Sequence, residues 1–188
     1  MAHIGLFFGS TNGATAAVAQ QIKAKLDADL ATPGAEAVEL FDVADYYLKE
    51  MLPFDYLILG VSTWHVGQLQ RDWDRVFEEF DALDLTGKQV ALFGLGDQAG
   101  YPDTFADALF FVADKARMCG AQLAGAWPTD GYQFNASWAC EGSHFVGLVI
   151  DEHNQPELTP HRLNGWLEQV CREFGLIDPF LSRKETRP

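Results

Sequence analysis

The sequence is poor in cysteine and in basic residues, and it contains no long apolar run. Its three cysteines, Cys119, Cys140 and Cys171, lie far apart and form no CxxC pair, so neither a disulfide framework nor a zinc or iron–sulfur site is predicted. No apolar segment approaches the ~20 residues that a membrane-spanning helix requires. The amino terminus lacks the basic region and cleavage site of a secretory signal, so we expect a cytoplasmic protein.

Acidic residues greatly outnumber basic ones. The chain has 27 Asp and Glu against 13 Lys and Arg, for a formal net charge of −14. Such a field repels nucleic-acid phosphate and anionic lipid, so neither a nucleic acid nor a membrane is an expected partner. A basic protein surface is the expected partner instead. The five histidines show no ligand spacing, and no metal is predicted.

The length and the pattern of apolar residues predict one α/β domain. A chain of 188 residues that is 48% hydrophobic can bury a core of its own, so we expect a single domain over 1–176 and a short polar tail over 177–188. Apolar runs predict parallel strands that alternate with helices on both faces of a doubly wound, five-stranded sheet. The predicted strands are Ile4–Phe8, 36–41, Phe54–Val61, Gln89–Leu95 and a fifth strand in two parts, Ala121–Trp127 and Phe145–Ile150, with a Gly- and aromatic-rich stretch between them.

The loop after the first strand is a candidate anion site. It reads Gly9-Ser10-Thr11-Asn12-Gly13-Ala14-Thr15 and leads into a helix, so backbone N–H groups converge there. It contains no lysine or arginine and matches neither the Walker A loop nor GxGxxG. A terminal phosphate held by neutral donors suits it, and so does an ordinary hydroxyl-rich start of a helix. This loop alone favours neither interpretation.

The loops after the third and fourth strands each carry an aromatic ring. Trp64 is predicted to lie in a loop over 62–70, and Tyr101 follows Gly96-Asp97-Gln98 in the loop 96–104. Each ring could stack on a planar ligand, whereas a Trp folded under its own loop and a surface Tyr are the structural alternatives. Because ligands of such sheets bind at the carboxyl ends of the strands, the three loops together predict a ligand with a phosphate at one end and a planar ring at the other.

These segments resemble the long-chain flavodoxins over nearly the whole chain. The matching stretches are GSTNGAT (9–15), TWHVGQLQRDW (63–73), GKQVALFGLGDQAGYPDTFADAL (87–109), WPTDGYQF (127–134) and FVGLVIDEHNQPELT (145–159). The resemblance implies a sheet of strand order 2-1-3-4-5 that binds FMN at its switch point. It also implies that the fifth strand is interrupted by a long loop.

The resemblance also implies a set of FMN-binding residues. The phosphate would be bound by Ser10, Thr11, Asn12, Gly13, Ala14 and Thr15. Trp64 and Tyr101 would cover the two faces of the flavin. The rest of the implied cofactor-binding set surrounds the edge of the ring: Ser62, Thr63, His65, Val66, Gly67, Leu95, Gly96, Asp97, the backbone of Gln98, and Thr104.

Four positions depart from the family's usual pattern. Asn12 stands where a Thr is usual, and Ser62 replaces a usual Pro before Thr63 and Trp64. His65 stands where other residues are often seen, and His153 replaces an acidic residue that many relatives carry. We expect these changes to tune the affinity or the potential of FMN without abolishing its binding.

The implied function is that of a low-potential one-electron carrier rather than an enzyme. Its expected partners are basic redox proteins such as a ferredoxin/flavodoxin-NADP reductase and low-potential acceptor enzymes, among which nitrogenase is compatible with the family. The run Asp72–Asp84 holds six acids against Arg75 alone, which indicates a solvated helix face that could also steer such partners. We expect a monomer. The alternative is an FMN-dependent NAD(P)H:quinone-type oxidoreductase, which would need one open flavin face.

Overall fold

A computed structural model describes residues 3–32 and 35–177, so the predicted tail 177–188 lies outside the described residues except for Ile177. The α-helices of this part are α1 (Ala14–Leu30), α2 (Arg71–Val76), α3 (Asp107–Met118) and α4 (Thr159–Glu173). Its strands are β1 (Ile4–Phe8), β2 (Val38–Asp42), β3 (Tyr56–Trp64), β4 (Gln68–Leu69), β5 (Gln89–Leu95), β6 (Gln122–Ala124), β7 (Trp127–Pro128), β8 (Cys140–Glu141), β9 (His144–Phe145) and β10 (Leu148–Ile150). Within these described residues, none of the helices combines the length and the apolar character that crossing a bilayer demands.

The main sheet has the predicted topology. Strands β2, β1, β3 and β5 pair in parallel in that order. The fifth position is filled by two strands in succession, because β6 pairs with Gln89–Ala91 and β10 pairs with Phe93–Leu95, both in parallel. The prediction of an interrupted fifth strand is therefore confirmed.

Successive side chains along a strand point to opposite faces of the sheet and pack into two separate hydrophobic cores. On β1, Ile4, Leu6 and Phe8 pack with α1 and α4, whereas Phe7 faces the opposite core, which contains residues of α2 and α3. Every residue of β1 is buried, as expected for a strand covered by helices on both faces. This double cover leaves the ends of the strands as the accessible part of the sheet.

The third strand is longer than predicted. It continues through Ser62, Thr63 and Trp64, which the sequence analysis placed in a loop. The reason is a short antiparallel hairpin in which Thr63 pairs with Leu69 and Trp64 pairs with Gln68, so backbone groups that a loop would expose to water find partners in β4. Only 65–67 form the turn.

The two parts of the fifth strand are shorter than predicted because their outer residues belong to a second sheet. Trp127 pairs with Phe145 in a small antiparallel sheet of order β7-β9-β8. The excursion 125–147 that contains this sheet packs its aromatic rings against Phe105, which precedes α3, and against α4. Phe145 contacts Phe105 at a ring-centroid distance of 6.0 Å, and the guanidinium of Arg162 lies 3.8 Å from the ring centroid of Tyr132.

The acidic run after β4 is not solvated throughout. It forms α2 and then a 3₁₀ segment, Phe77–Ala82, and it buries Trp73, Val76 and Phe80. Asp72, however, is only 6% exposed. Its carboxylate accepts a hydrogen bond from the Gln70 side chain, so Asp72 is not part of a surface that could steer partners.

We expect the start of β10 to tolerate no side chain at Gly147. A Cβ there would lie 2.2 Å from the backbone oxygen of Leu92, and that oxygen cannot move without distorting β5. Gly147→Ala should lower the free energy of unfolding of the apoprotein by about 2–3 kcal/mol or more, as measured by urea denaturation.

The matched control is Gly165→Ala in α4. The nearest atom to a Cβ at Gly165 is the ring tip of Trp127, at 3.2 Å, and alanine favours a helix over glycine by up to ~1 kcal/mol. This variant should be neutral or slightly more stable. Equal losses in both variants would contradict the steric argument.

Candidate functional site

A cavity of about 340 Å³ lies at the carboxyl ends of the central strands. This volume falls within the range of small-molecule sites, roughly 300–1,000 Å³. Hydroxyl-bearing residues of the first loop and the rings of Trp64 and Tyr101 line the same cavity. The complete lining is Ser10, Thr11, Asn12, Ala14, Thr15, Ser62, Thr63, Trp64, His65, Leu95, Gly96, Asp97, Tyr101, Glu152 and His153.

Five residues of the predicted set, Gln98 among them, are absent from the lining of this cavity. Gly13 precedes α1 with a φ of 83°. Val66 and Gly67 line an adjacent, more open groove of about 940 Å³. Thr104 lies under that turn, because its Cβ would be 3.3 Å from a Cβ at Gly67.

The first loop presents backbone and hydroxyl donors without any cation. Gly13 has no side chain that could cap the amides of the first turn of α1, and its left-handed backbone suits glycine. The N–H of Ala16 donates to Ser10 Oγ at 3.2 Å, which leaves the Ser10 hydroxyl hydrogen available to a ligand. Thr15 is 2% exposed yet lines the cavity. These neutral donors can receive an anion at the helix N-terminus.

Trp64 is held in place by its own strand. Its indole N–H donates to Ser62 Oγ at 2.9 Å, and the two side chains lie on one face of β3 because they are two residues apart. Thr63 points to the other face, where its Oγ1 accepts the backbone N–H of Ala108 in α3 at 3.2 Å. The half-buried ring of Trp64 is therefore part of a regular strand and forms one wall of the cavity.

The loop after β5 carries a fixed negative charge. Oδ1 of Asp97 accepts the N–H of Gly100 at 2.7 Å and the side-chain amide of Asn154 at 2.8 Å. These hydrogen bonds, chiefly the one from Gly100, lower the pKa of the Asp97 carboxyl despite its partial burial. Asp97 is thus ionised at neutral pH. Tyr101, 46% exposed, follows on the same loop.

A second carboxylate lies beneath the turn of the β3–β4 hairpin. Asp107 is 5% exposed and accepts the backbone N–H of Trp138 at 2.7 Å, which ties α3 to the excursion 125–147. Burial raises the pKa of Asp107. A Cβ at Gly67 would lie 2.9 Å from Oδ2 of Asp107, and Gly67 has a φ of 79°, so only glycine fits this turn without strain.

Sequence reasoning left two lining residues out of the predicted set. Glu152 and His153 follow β10, and both line the cavity. Their position in the sequence could have indicated them, because they directly follow a strand whose carboxyl end lies at the same edge of the sheet as the other loops. Asp151 fixes their turn: it is fully buried, and its carboxylate accepts the N–H groups of Gln98 and His153.

This fold and site define a doubly wound α/β protein with a cleft for a phosphorylated planar ligand at its switch point. A sequence model of the family described as flavodoxin matches residues 6–166. The chain is 43% identical over 176 residues to the flavodoxin of Synechococcus elongatus, covering 94% of this chain and all of that protein. It is 42% identical to flavodoxin 1 of Escherichia coli, covering 94% and 97%. The chain belongs to the flavodoxin family, which confirms the predicted membership.

Solved structures agree with this placement. The structure of Fusobacterium nucleatum flavodoxin bound to flavin mononucleotide matches with a TM-score of 0.84 and 31% identity, and the match covers 92% of this chain and 99% of that one. Oxidised flavodoxin 1 of Bacillus cereus matches with a TM-score of 0.65 and 26% identity, covering 90% and 97%. The predicted fold class is confirmed.

We expect Ser62 to restrain the Trp64 indole. In Ser62→Ala the indole N–H loses its acceptor, so its hydrogen should exchange with solvent about 5–10-fold faster in the flavin-free protein, as measured by NMR. Ser62→Thr keeps the hydroxyl and should retain the slow exchange. An unchanged rate in Ser62→Ala would show that the hydrogen bond does not hold the ring.

Proposed function

We propose that the protein is an FMN-dependent electron carrier that moves electrons one at a time from a basic reductase to low-potential acceptor enzymes. The observation that carries this proposal is one cavity with neutral phosphate donors at one end and two aromatic side chains at the other. FMN, when bound, supplies the one-electron chemistry, and the protein supplies binding, orientation and electrostatics.

The residues present fit the phosphate of FMN. Ser10, Thr11, Asn12 and Thr15 would bind it through hydroxyl, amide and backbone N–H groups. Among the described lining residues there is no lysine or arginine, so a single phosphate held by neutral donors fits better than a longer phosphate chain that would need cations.

The carboxylates that line the cavity with Trp64 and Tyr101 favour a low reduction potential of bound FMN. Trp64 and Tyr101 would cover the ring and keep water from it. Asp97 is ionised, and Glu152 lines the same cavity. Both carboxylates disfavour the addition of further negative charge to a bound ring, because like charges repel more strongly where water is excluded.

The same two side chains argue against turnover of a second substrate. An NAD(P)H:quinone-type oxidoreductase needs one face of the ring open to a nicotinamide or a quinone. Here Trp64 and Tyr101 both line the cavity, and Trp64 is fixed through Ser62. This arrangement supports a carrier rather than an enzyme that turns over a second substrate.

A surface for partners lies beside the β3–β4 hairpin. The groove there is lined by Val66, Asp74 and Phe111, and Val66 is 73% exposed. The ring of Trp138, 62% exposed, contacts that of Phe111 at a centroid distance of 5.7 Å. The groove combines these apolar side chains with one carboxylate, Asp74, and one guanidinium, Arg71. A partner could place an apolar group against the hairpin and a basic group at Asp74.

We expect the purified protein to contain one noncovalent FMN and no FAD, because the phosphate end of the cavity is suited to one phosphate. Acid release followed by chromatography checks the flavin. The reduced protein should pass electrons to a one-electron acceptor and should oxidise NAD(P)H only when a reductase is present. Steady NAD(P)H oxidation by the protein alone would instead identify an enzyme.

We expect electron transfer from a basic reductase to slow as ionic strength rises, because the Debye length falls from ~30 Å at 0.01 M salt to ~8 Å at 0.15 M. Asp74→Lys should slow association several-fold at low salt, since Asp74 is exposed at the groove. Stopped-flow kinetics over a salt series measure both effects.

The matched control for Asp74→Lys is Asp29→Lys, which makes the same change in net charge. Asp29 is exposed near the end of α1, on the order of 22 Å along that helix from the first loop. It should change the rate much less. Equal effects of the two substitutions would mean that only net charge matters and that the groove does not bind the partner.

A further inference from the structure

Gln70 is a fully buried glutamine that joins the first loop to α2. Its side-chain Nε2 donates to Thr11 Oγ1 at 3.0 Å, across 59 positions of sequence, and to Asp72 Oδ2 at 2.7 Å. Its Oε1 accepts the backbone N–H groups of Asp72 and Trp73 at 3.1 and 3.2 Å. All the polar atoms of this side chain are therefore engaged within the protein.

These contacts fix which end of the amide faces Thr11. Because Oε1 is the acceptor for the two N–H groups that begin α2, the end that reaches Thr11 must be the NH₂ group. The buried carboxylate of Asp72 accepts the other hydrogen of that group, which holds the amide in this orientation. Gln70 can thus act toward Thr11 only as a donor.

A donor on one side of the Thr11 hydroxyl determines the direction of its hydrogen. A hydroxyl has one hydrogen to donate and two lone pairs, and one lone pair of Thr11 is occupied by Gln70. The O–H is then left to donate, and Thr11 lines the cavity. We infer that Gln70, supported by Asp72, is a positioning residue that commits the Thr11 hydroxyl as a donor to the phosphate of the bound nucleotide.

The first loop contains no lysine or arginine, so its hydroxyl groups carry the binding of an anion. With neutral groups alone, the affinity for a phosphate depends on every hydroxyl presenting its hydrogen rather than a lone pair. The loop is also held tightly against Gln70, because a Cβ at Gly9 would lie 2.3 Å from Gln70 Oε1. The argument rests on the proposed binding of FMN in this cavity.

The test compares FMN with riboflavin, which lacks the phosphate. Dissociation constants of both flavins for the apoprotein are measured by quenching of flavin fluorescence, and their ratio isolates the phosphate contribution. Gln70→Met should lower the preference for FMN by about tenfold or more, as expected for the loss of a hydrogen bond to a charged group. Thr11→Val should lower it similarly, and the double variant should lower it no further, because both changes remove the same interaction.

Gln98→Met is the matched control. Gln98 is also a buried glutamine, 5% exposed, in the loop that follows β5, and its Oε1 accepts the N–H of Gln133. It should weaken both flavins alike and leave their ratio unchanged. A purely structural role of Gln70 would give this same pattern, so an unchanged ratio in Gln70→Met would overturn the inference.

A second variant covers the case in which Gln70→Met does not fold. Gln70→Glu combined with Asp72→Asn keeps an acceptor for the amides of α2 and pairs the introduced carboxylate with the introduced amide. The Thr11 hydroxyl then faces an acceptor and donates to it, so the preference for FMN should again fall about tenfold. A retained preference would overturn the inference. A wild-type protein that binds FMN no better than riboflavin would overturn the proposed function itself.

Discussion

The parallel register of β1, β3 and β5 is the constraint on which the site depends. Phe8 lies opposite Gly60, and Ser62 lies opposite Leu95, so the three strands present successive loops at one edge of the sheet. Helices cover both faces, so this edge is where the backbone can be irregular without burying unpaired polar groups. The donors of the first loop and the two rings share a cavity because of this register.

Most of the fold could be predicted because its signals are local. The apolar run of β1 and the run that follows Gln89 in β5 indicated strands buried on both faces, and the breaks after them marked the loops that line the cavity. The interrupted fifth strand was also predicted correctly. The exact limits of its two parts were not predicted correctly, because Trp127 and Phe145 pair with each other in the small sheet. The apolar pattern of these residues is the same whether they continue the main strand or form a separate one.

The parts of the site that sequence reasoning missed depend on partners distant in the chain. The sequence pattern predicts Asp72 to be one more acidic residue on a solvated helix face. Its burial is explained only by its hydrogen bond with Gln70. Gln70 itself carries no signal, since its partner Thr11 is 59 residues away. Trp64 was predicted in a loop because the two-residue β4 is too short to produce a pattern. The indole–hydroxyl contact with Ser62 follows from that unexpected strand.

The divided fifth strand limits how this edge of the sheet can pair with another chain. A long, flat edge strand offers unpaired N–H and C=O groups to another chain and so promotes aggregation. Here β6 and β10 contribute only three residues each to that edge, and the excursion between them folds into its own small sheet. No stretch of this edge within the described residues is long enough to template an added strand. The interruption therefore shortens the length of this edge with which another chain could pair.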